Sequence, residues 1–303
     1  MRFDVTILGS SSATPIYNRN PTSQALNINE HIYLVDCGEG TQQQMLRFDV
    51  KPGKIDHIFI SHLHGDHYLG LIGLLSSMNL NGRKKPMQLF GPPDLLKIID
   101  VHFECSWMSL NFKIDFHPLQ TDHPEVILDN QDITVETIVL NHRIPCTGFI
   151  FRQKEPLRKL DADHLERYQV GRNHFLKLKQ GGDFIAENGA VIPNSALTID
   201  PEKAKSYAFC SDTLAGESYL PQIQNVDLLY HEATFMNDLL ARAVETHHTT
   251  ALQAAEIALK ANVKKLLIGH FSARYKTLEG LLEEARSVFK QTELAIEGKV
   301  FLV

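Results

Sequence analysis

The densest chemistry in the chain is the run His62-Leu63-His64-Gly65-Asp66-His67, three imidazoles and a carboxylate within six residues. Imidazole nitrogen and carboxylate oxygen hold a zinc-like divalent ion without any thiolate. His62 and His64 stand two residues apart, so on an extended backbone both project to one side and can reach one ion. Gly65 permits a sharp turn behind them, after which Asp66 and His67 can swing toward a second position. The pattern predicts a metal centre with two places to fill. Paired ions of that kind acidify water and stabilise the charge that develops on the centre under attack.

Six residues cannot supply the ligands of two ions, so the rest of the chain has to contribute. The run follows His57-Ile58-Phe59-Ile60, an apolar stretch that reads as a buried strand. His142 follows a strand ending at Leu140. Asp212 follows one ending at Cys210, in Cys210-Ser211-Asp212-Thr213. His270 follows Leu266-Leu267-Ile268, in Gly269-His270-Phe271-Ser272. Each lies just past a predicted strand end, where loops converge on one edge of a sheet.

Further strands are expected at 3–9, 23–27, 31–35, 88–90, 113–118, 132–140, 147–152, 206–210, 228–231 and 264–268. Helices are expected at 41–48, 69–80, 95–103, 249–261 and 278–292. Strands and helices alternate in both halves. This predicts an α/β fold with two sheets packed face to face and helices outside. Between the halves, residues 153–198 are polar and interrupted by glycine. Arg158, Lys159, Arg167, Arg172, Lys177 and Lys179 outnumber the acids near them, so an inserted segment is expected here, either a plain solvated excursion or one that grips substrate.

Composition sets limits. The chain has 303 residues, 43% hydrophobic and 22% charged, ordinary values for a globular protein. No apolar run approaches the roughly 20 residues of a membrane span, and the N-terminus shows no cleavable signal, so cytoplasmic residence is expected. Cys37, Cys105, Cys146 and Cys210 form no CxxC pair, which argues for reduced thiols and against a thiolate metal site. The formal net charge of −6 weighs mildly against a nucleic-acid substrate, although a local basic patch and bound cations can compensate.

With these residues in place, the HxHxDH run and the later His, Asp and His resemble the metallo-β-lactamase superfamily. Neighbouring stretches narrow the resemblance to the tRNase Z (ribonuclease Z) family. They are Arg19-Asn20-Pro21-Thr22-Ser23, Asp36-Cys37-Gly38-Glu39-Gly40-Thr41-Gln42, Ser61 to Leu75 running on to Gly91-Pro92, Ser211-Asp212-Thr213, His231-Glu232-Ala233-Thr234-Phe235, His248-Thr249-Thr250 with Gln253-Ala254-Ala255, and His270-Phe271-Ser272-Ala273-Arg274-Tyr275. They spread over nearly the whole chain.

The resemblance implies an αβ/βα sandwich over residues 1–303, with 153–198 inserted as a tRNA-binding arm. The family's arm is rich in Gly and Pro near its tip; here the segment carries Gly171-Arg172-Asn173-His174 and Gly181-Gly182 instead. Two Zn²⁺ per subunit are implied, with Mn²⁺ as a substitute. His62, His64 and His142 would hold one, Asp66, His67 and His270 the other, and Asp212 would bridge them.

Asp66 is implied as the group that orients and deprotonates water, and His248, steadied by Glu232, as the proton donor to the leaving 3′ oxygen. The adjacent His247 is the weaker match to the His-Thr-Thr pattern. Arg274 is implied as a phosphate contact, with a structural ion pair as the other reading. His57, His102, His117, His164, His174 and His231 read as ordinary. The implied activity is endonucleolytic removal of the 3′ trailer of precursor tRNA by a homodimer, leaving a tRNA 3′-hydroxyl and a trailer 5′-phosphate. The alternative is a small-molecule or cyclic-nucleotide phosphodiesterase, or an arylsulfatase, on the same ions. A partner that has lost catalysis is disfavoured, because all seven ligands are present.

Overall fold

The computed structural model describes residues 2–303. It divides into two compact units, one comprising residues up to Arg152 together with Lys205–Val303, the other Gln153–Ala204.

The larger unit is built on two seven-stranded sheets. The first runs in the order Val300–Leu302, Phe3–Gly9, Ser23–Ile28, His31–Val35, Ile55–Phe59, Met87–Gly91, Ile114–Pro118. Its pairings are antiparallel as far as His31–Val35 and parallel beyond it. The second runs Thr292–Leu294, Lys265–Gly269, Leu228–Glu232, Ser206–Cys210, Cys146–Gln153, Ile133–Leu140, Val126–Asp129. Its first four strands are parallel.

Side-chain alternation along the strands assigns each face its cover. Val5, Ile7, Phe59 and Phe90 of the first sheet meet Phe149, Phe209, Tyr230 and Leu267 of the second in one buried cluster. Leu8, Ile58, Ile60 and Leu89 turn the other way, onto Leu71, Leu74, Leu75, Leu95 and Ile99 of the helices Leu71–Leu80 and Asp94–Cys105. Ala208, Leu229 and Ile268 meet Ala254, Ala258, Leu281 and Ala285 of the helices Ala251–Lys260 and Glu279–Val288. Three cores between four layers make the αβ/βα sandwich that the strand and helix alternation predicts. Because the central strands are covered on both faces, their sequences read as almost continuous apolar runs. Stacked rings tie neighbouring strands, Phe59 on Phe90 at 4.7 Å and Phe209 on Tyr230 at 5.0 Å. Burying one such ring contributes roughly 1.5–3 kcal/mol.

Two expectations need correction. The helix expected over 278–292 stops at Val288: Phe289 is extended, and Thr292–Leu294 joins the second sheet as an edge strand. The Thr292 hydroxyl donates to Phe289 O and the Arg286 guanidinium to Thr292 O, which fixes the chain reversal. The strands Val126–Asp129 and Val300–Leu302 and the helix Leu240–Thr246 were not anticipated; each is short and lacks a long periodic pattern.

The smaller unit has its own core of Leu165, Val170, Leu178, Phe184 and Leu197. Lys159–Leu160 pairs with Thr198–Ile199, and Phe184–Ile185 with Val191–Ile192. The buried Asn194 amide donates to Leu178 O and Gly182 O and accepts from the Thr198 hydroxyl. Counted over 153–204, Lys and Arg are matched by an equal number of Asp and Glu, so the segment is not basic overall. Arg172, Lys177 and Lys179 nonetheless lie in its short helical stretch, and none has an acidic partner among the described residues. No helix among the described residues is long and apolar enough to cross a membrane.

Candidate active site

Every ligand candidate lies just past a strand end, the HxHxDH run after a strand of the first sheet and His142, Asp212 and His270 after strands of the second. Ile55–Phe59 runs through Ile60 and Ser61 to His62, and the short helix Gly65–Tyr68 carries Asp66 and His67. His142 follows Ile133–Leu140, Asp212 follows Ser206–Cys210, and His270 follows Lys265–Gly269. His270 turns at once through a left-handed backbone, φ 58°. That conformation costs a non-glycine residue about 1 kcal/mol, which the surrounding packing has to hold.

Close backbone approach fixes the helix that bears Asp66. A Cβ on Gly38 would lie 2.4 Å from Asp66 O, and one on Gly70 would lie 2.2 Å from Gly38 O. The Gly70 amide donates to Cys37 O, and the Cys37 amide to His67 O. The Asp36-Cys37-Gly38 turn and the HxHxDH segment are thereby locked together through their main chains.

The seven side chains separate into two groups, and Asp212 of the first also faces the second. His62, His64, His142 and Asp212 present ligand atoms within 4.8 Å of one another, and so do Asp66, His67 and His270. His64 Nδ1 lies 3.0 Å from His62 Nε2 and 3.1 Å from His142 Nε2. Asp212 Oδ2 faces His62 Nε2 at 3.6 Å and His142 Nε2 at 3.7 Å. Its other oxygen, Oδ1, faces His67 Nε2 at 3.3 Å and His270 Nε2 at 3.2 Å. Asp66 Oδ2 closes the second group, 3.5 Å from His67 Nε2 and 3.4 Å from His270 Nε2.

Hydrogen bonds on the far side of the rings determine what these nitrogens offer. His67 Nδ1 donates to Asp36 Oδ2 at 2.7 Å, and His142 Nδ1 to the carbonyl of His247 at 2.9 Å. The Ser61 hydroxyl donates to Asp36 Oδ2, so toward His62 Nδ1, at 3.0 Å, it acts as acceptor. The Thr234 hydroxyl donates to Glu232 Oε2 at 2.6 Å and accepts from His270 Nδ1 at 2.9 Å. All four Nδ1 atoms are therefore protonated, which turns four Nε2 positions, each a lone pair unless a cation or a second proton occupies it, toward two carboxylates. Lone pairs facing carboxylates in a buried space repel unless a cation lies between them. His67 Nε2, buried and without a hydrogen-bond partner, marks that position. The donor set fits divalent ions with nitrogen and oxygen ligands.

The electrostatics agree. Burial holds His62 well below the ordinary imidazole range and His142 down to about 4, so both are neutral. His67 is equally buried but is driven upward, because Asp212, Asp66 and Asp36 surround it. Against the cost of burial, His270 and His67 keep Asp212 far below the usual carboxylate range. The pocket thus carries surplus negative charge, which a bound cation balances as the proton on His67 otherwise does.

Beside this cluster, the buried Glu232 carboxylate accepts from His248 Nδ1 at 2.9 Å. Burial disfavours a proton on His248, but Glu232 overrides that and raises the ring to about 9. Glu232 also accepts from the amides of Thr213 and Thr234. Of the two neighbouring histidines, His248 reaches Glu232, whereas His247 contributes its carbonyl, held by a left-handed backbone of φ 55°.

Arg274 is exposed, with its guanidinium 6.0 Å from the Phe235 ring and no acidic partner among the described residues. His231 is buried against the Tyr219 hydroxyl and the carbonyl of Glu232, away from the two ligand groups. Asp36, Ser61 and Thr234 were not singled out from sequence as individual residues; a carboxylate or hydroxyl beside a ligand histidine carries no spacing signal. Arg143 was missed as well. It is exposed beside His142, and its charge bears on His64 and His248.

A family model described as Anti-Pycsar protein Apyc1 matches residues 3–163, the part that carries the HxHxDH run. The chain is 44% identical over 297 residues to a Ribonuclease Z of Bacteroides thetaiotaomicron, an alignment covering 98% of this chain and 94% of the relative. It is 47% identical over 304 residues to a Ribonuclease Z of Cytophaga hutchinsonii, covering 100% of this chain and 97% of the relative. Among solved structures it resembles the short form of human tRNase Z, with a TM-score of 0.73 at 27% identity over 98% of both chains.

Proposed function

The chain belongs to the ribonuclease Z family, and from that membership we propose that it is a metal-dependent endoribonuclease that removes the 3′ trailer of precursor tRNA. The observation that carries this reading is the Glu232–His248 pair beside two ligand groups joined by Asp212. A site that only had to bind ions would not need a buried, carboxylate-held imidazole at its rim.

One ion would be held by His62, His64 and His142, a second by Asp66, His67 and His270, with one oxygen of Asp212 toward each. Two zinc ions, or manganese in their place, would supply Lewis-acid stabilisation of charge on the phosphoryl group and make water more acidic. The chain's own groups do the rest. Asp66, its Oδ2 fixed by the Ala13 amide at 2.7 Å, accepts a proton from the attacking water on its other oxygen. As the new P–O bond forms and the P–O3′ bond breaks, His248 donates its Nε2 proton to the leaving 3′ oxygen. Glu232 keeps Nδ1 protonated throughout, so the ring can lose only the proton that faces substrate. The products are a tRNA with a 3′-hydroxyl and a trailer with a 5′-phosphate.

Arg274, exposed and without an acidic partner, would contact a phosphate of the RNA. The unit Gln153–Ala204, with Arg172, Lys177 and Lys179 in its helical stretch, would serve as the arm that holds the body of the tRNA. We place the enzyme in the cytoplasm as a homodimer, the assembly the family resemblance implies.

The test is to give zinc-loaded protein a precursor tRNA with a 3′ trailer, next to an Asp212→Ala control. Release of the trailer by the wild type alone is the expected result. Turnover of bis(p-nitrophenyl) phosphate without any cleavage of the RNA would instead favour a small phosphodiester as substrate.

A further inference from the structure

Glu232 and His270 are linked by a single hydroxyl. Thr234 is buried, 2% exposed. Its Oγ1 lies 2.6 Å from Glu232 Oε2, 2.9 Å from His270 Nδ1 and 3.4 Å from His248 Nδ1. A hydroxyl has one proton to give. Glu232 already accepts from the Thr213 amide, the Thr234 amide and His248 Nδ1, and an ionised carboxylate can only accept. The Thr234 proton therefore goes to Glu232, and the hydroxyl can only accept from His270. That direction forces His270 into the tautomer with a bare Nε2 facing Asp66 and Asp212. It also fills the last acceptor position of the carboxylate that holds His248.

We propose that Thr234 is a positioning residue that couples the ion-binding side of the site to the proton donor. It sets the tautomer of His270 and, through Glu232, the orientation of His248. The inference rests on the ion-binding and proton-donor roles proposed above. Ser61 provides an internal contrast, since it makes the same arrangement with Asp36 and His62 and touches no proton donor. Loss of the Ser61 hydroxyl should therefore disturb ion binding alone, whereas loss of the Thr234 hydroxyl should disturb both functions.

The test uses the full-length protein with Thr234→Val, Thr234→Ser and Ser61→Ala. Zn²⁺ affinity is measured by competition with a chromogenic chelator. Cleavage of precursor tRNA is then compared with hydrolysis of bis(p-nitrophenyl) phosphate at saturating Zn²⁺. The alkoxide leaving group of RNA needs a proton, whereas p-nitrophenolate leaves without one.

Thr234→Val should bind the more weakly held ion about 10–100-fold less tightly. At saturating Zn²⁺ it should still cut RNA at least about tenfold more slowly relative to the p-nitrophenyl ester. Thr234→Ser should restore both properties, and Ser61→Ala should weaken zinc binding without changing the ratio between the two substrates. Thr234→Ala replaces the valine variant if valine prevents folding. An unchanged ratio between the two substrates in Thr234→Val, or a serine variant as impaired as valine, would overturn the proposal. Failure of the underlying reading would show in the wild type itself, as absence of zinc binding or of RNA cleavage.

Discussion

At the scale of single residues, the chemistry turns on which atom of each imidazole is left free. His62, His67, His142 and His270 each present Nε2 to the centre because Nδ1 is engaged behind the ring. His248 is held by Glu232 in the same manner, yet it is read as a proton donor, so its removal should leave ion binding intact. His248→Ala is expected to lower kcat on precursor tRNA by about 10²–10⁴-fold. Metal analysis should still find the wild-type zinc content. Loss of zinc in that variant would move His248 into the ligand set beside Asp212 and His270, with which it is also close enough to group.

A second residue-scale expectation concerns pH, far from the ligands. His57 sits on the Tyr33 ring at 5.1 Å, and burial lowers its pKa from 6.5 to about 4. The unfolded chain then binds more protons at this residue between those two values, so folding loses stability as pH falls from 6.5 toward 4. His57→Gln removes that component. The difference in Tm between wild type and variant should shift against the wild type across this window, as thermal melts in matched buffers would show. A difference independent of pH would mean that His57 titrates normally.

At the scale of elements, the site is as precise as the strands and caps that deliver it. Thr250 caps the helix Ala251–Lys260 and, with Gln253, forms a reciprocal capping box two residues after His248. Thr250→Ala should lower stability by about 1 kcal/mol, measured by urea denaturation. Fraying of this helix start should also loosen His248, so RNA cleavage should fall more than chelator-measured zinc affinity does.

This scale also shows what was legible in the sequence. The buried strands were readable because two covered faces demand unbroken apolar runs, as in Phe209 and Leu267 with their neighbours. The seven ligand candidates were readable because their residue types are costly to bury without purpose and each follows such a run. Thr292 was read as the end of a helix and the strand Thr292–Leu294 was missed, because three edge residues carry no period of their own. Asp36, Ser61 and Thr234 were illegible as individual residues for a different reason: their role is a hydrogen-bond direction, which exists only once distant segments are brought together.

At the scale of the whole molecule, two features extend beyond the reaction centre. Surplus negative charge gathered in the core makes ion binding a source of stability, since cations that bind the folded state alone stabilise it by mass action. Chelation should lower Tm and zinc should restore it, with the Asp212→Ala variant responding less to both. The unit Gln153–Ala204 has its own small core and is proposed to hold the tRNA body. Reversing the charges of Arg172, Lys177 and Lys179 together should raise KM for precursor tRNA at least about tenfold and flatten its salt dependence. Hydrolysis of bis(p-nitrophenyl) phosphate should not change. Equal losses on both substrates would assign these residues to folding rather than to RNA.

The most direct test of the central claim is the chemistry of the ends produced from a precursor tRNA with a labelled 3′ trailer. In-line attack by water with proton donation to the 3′ oxygen predicts one metal-dependent cut. It should leave a tRNA 3′-hydroxyl and an intact trailer with a 5′-phosphate, and Asp212→Ala should produce none. A 2′,3′-cyclic phosphate, stepwise loss of single nucleotides, or an unchanged cut in the Asp212→Ala protein would contradict the account.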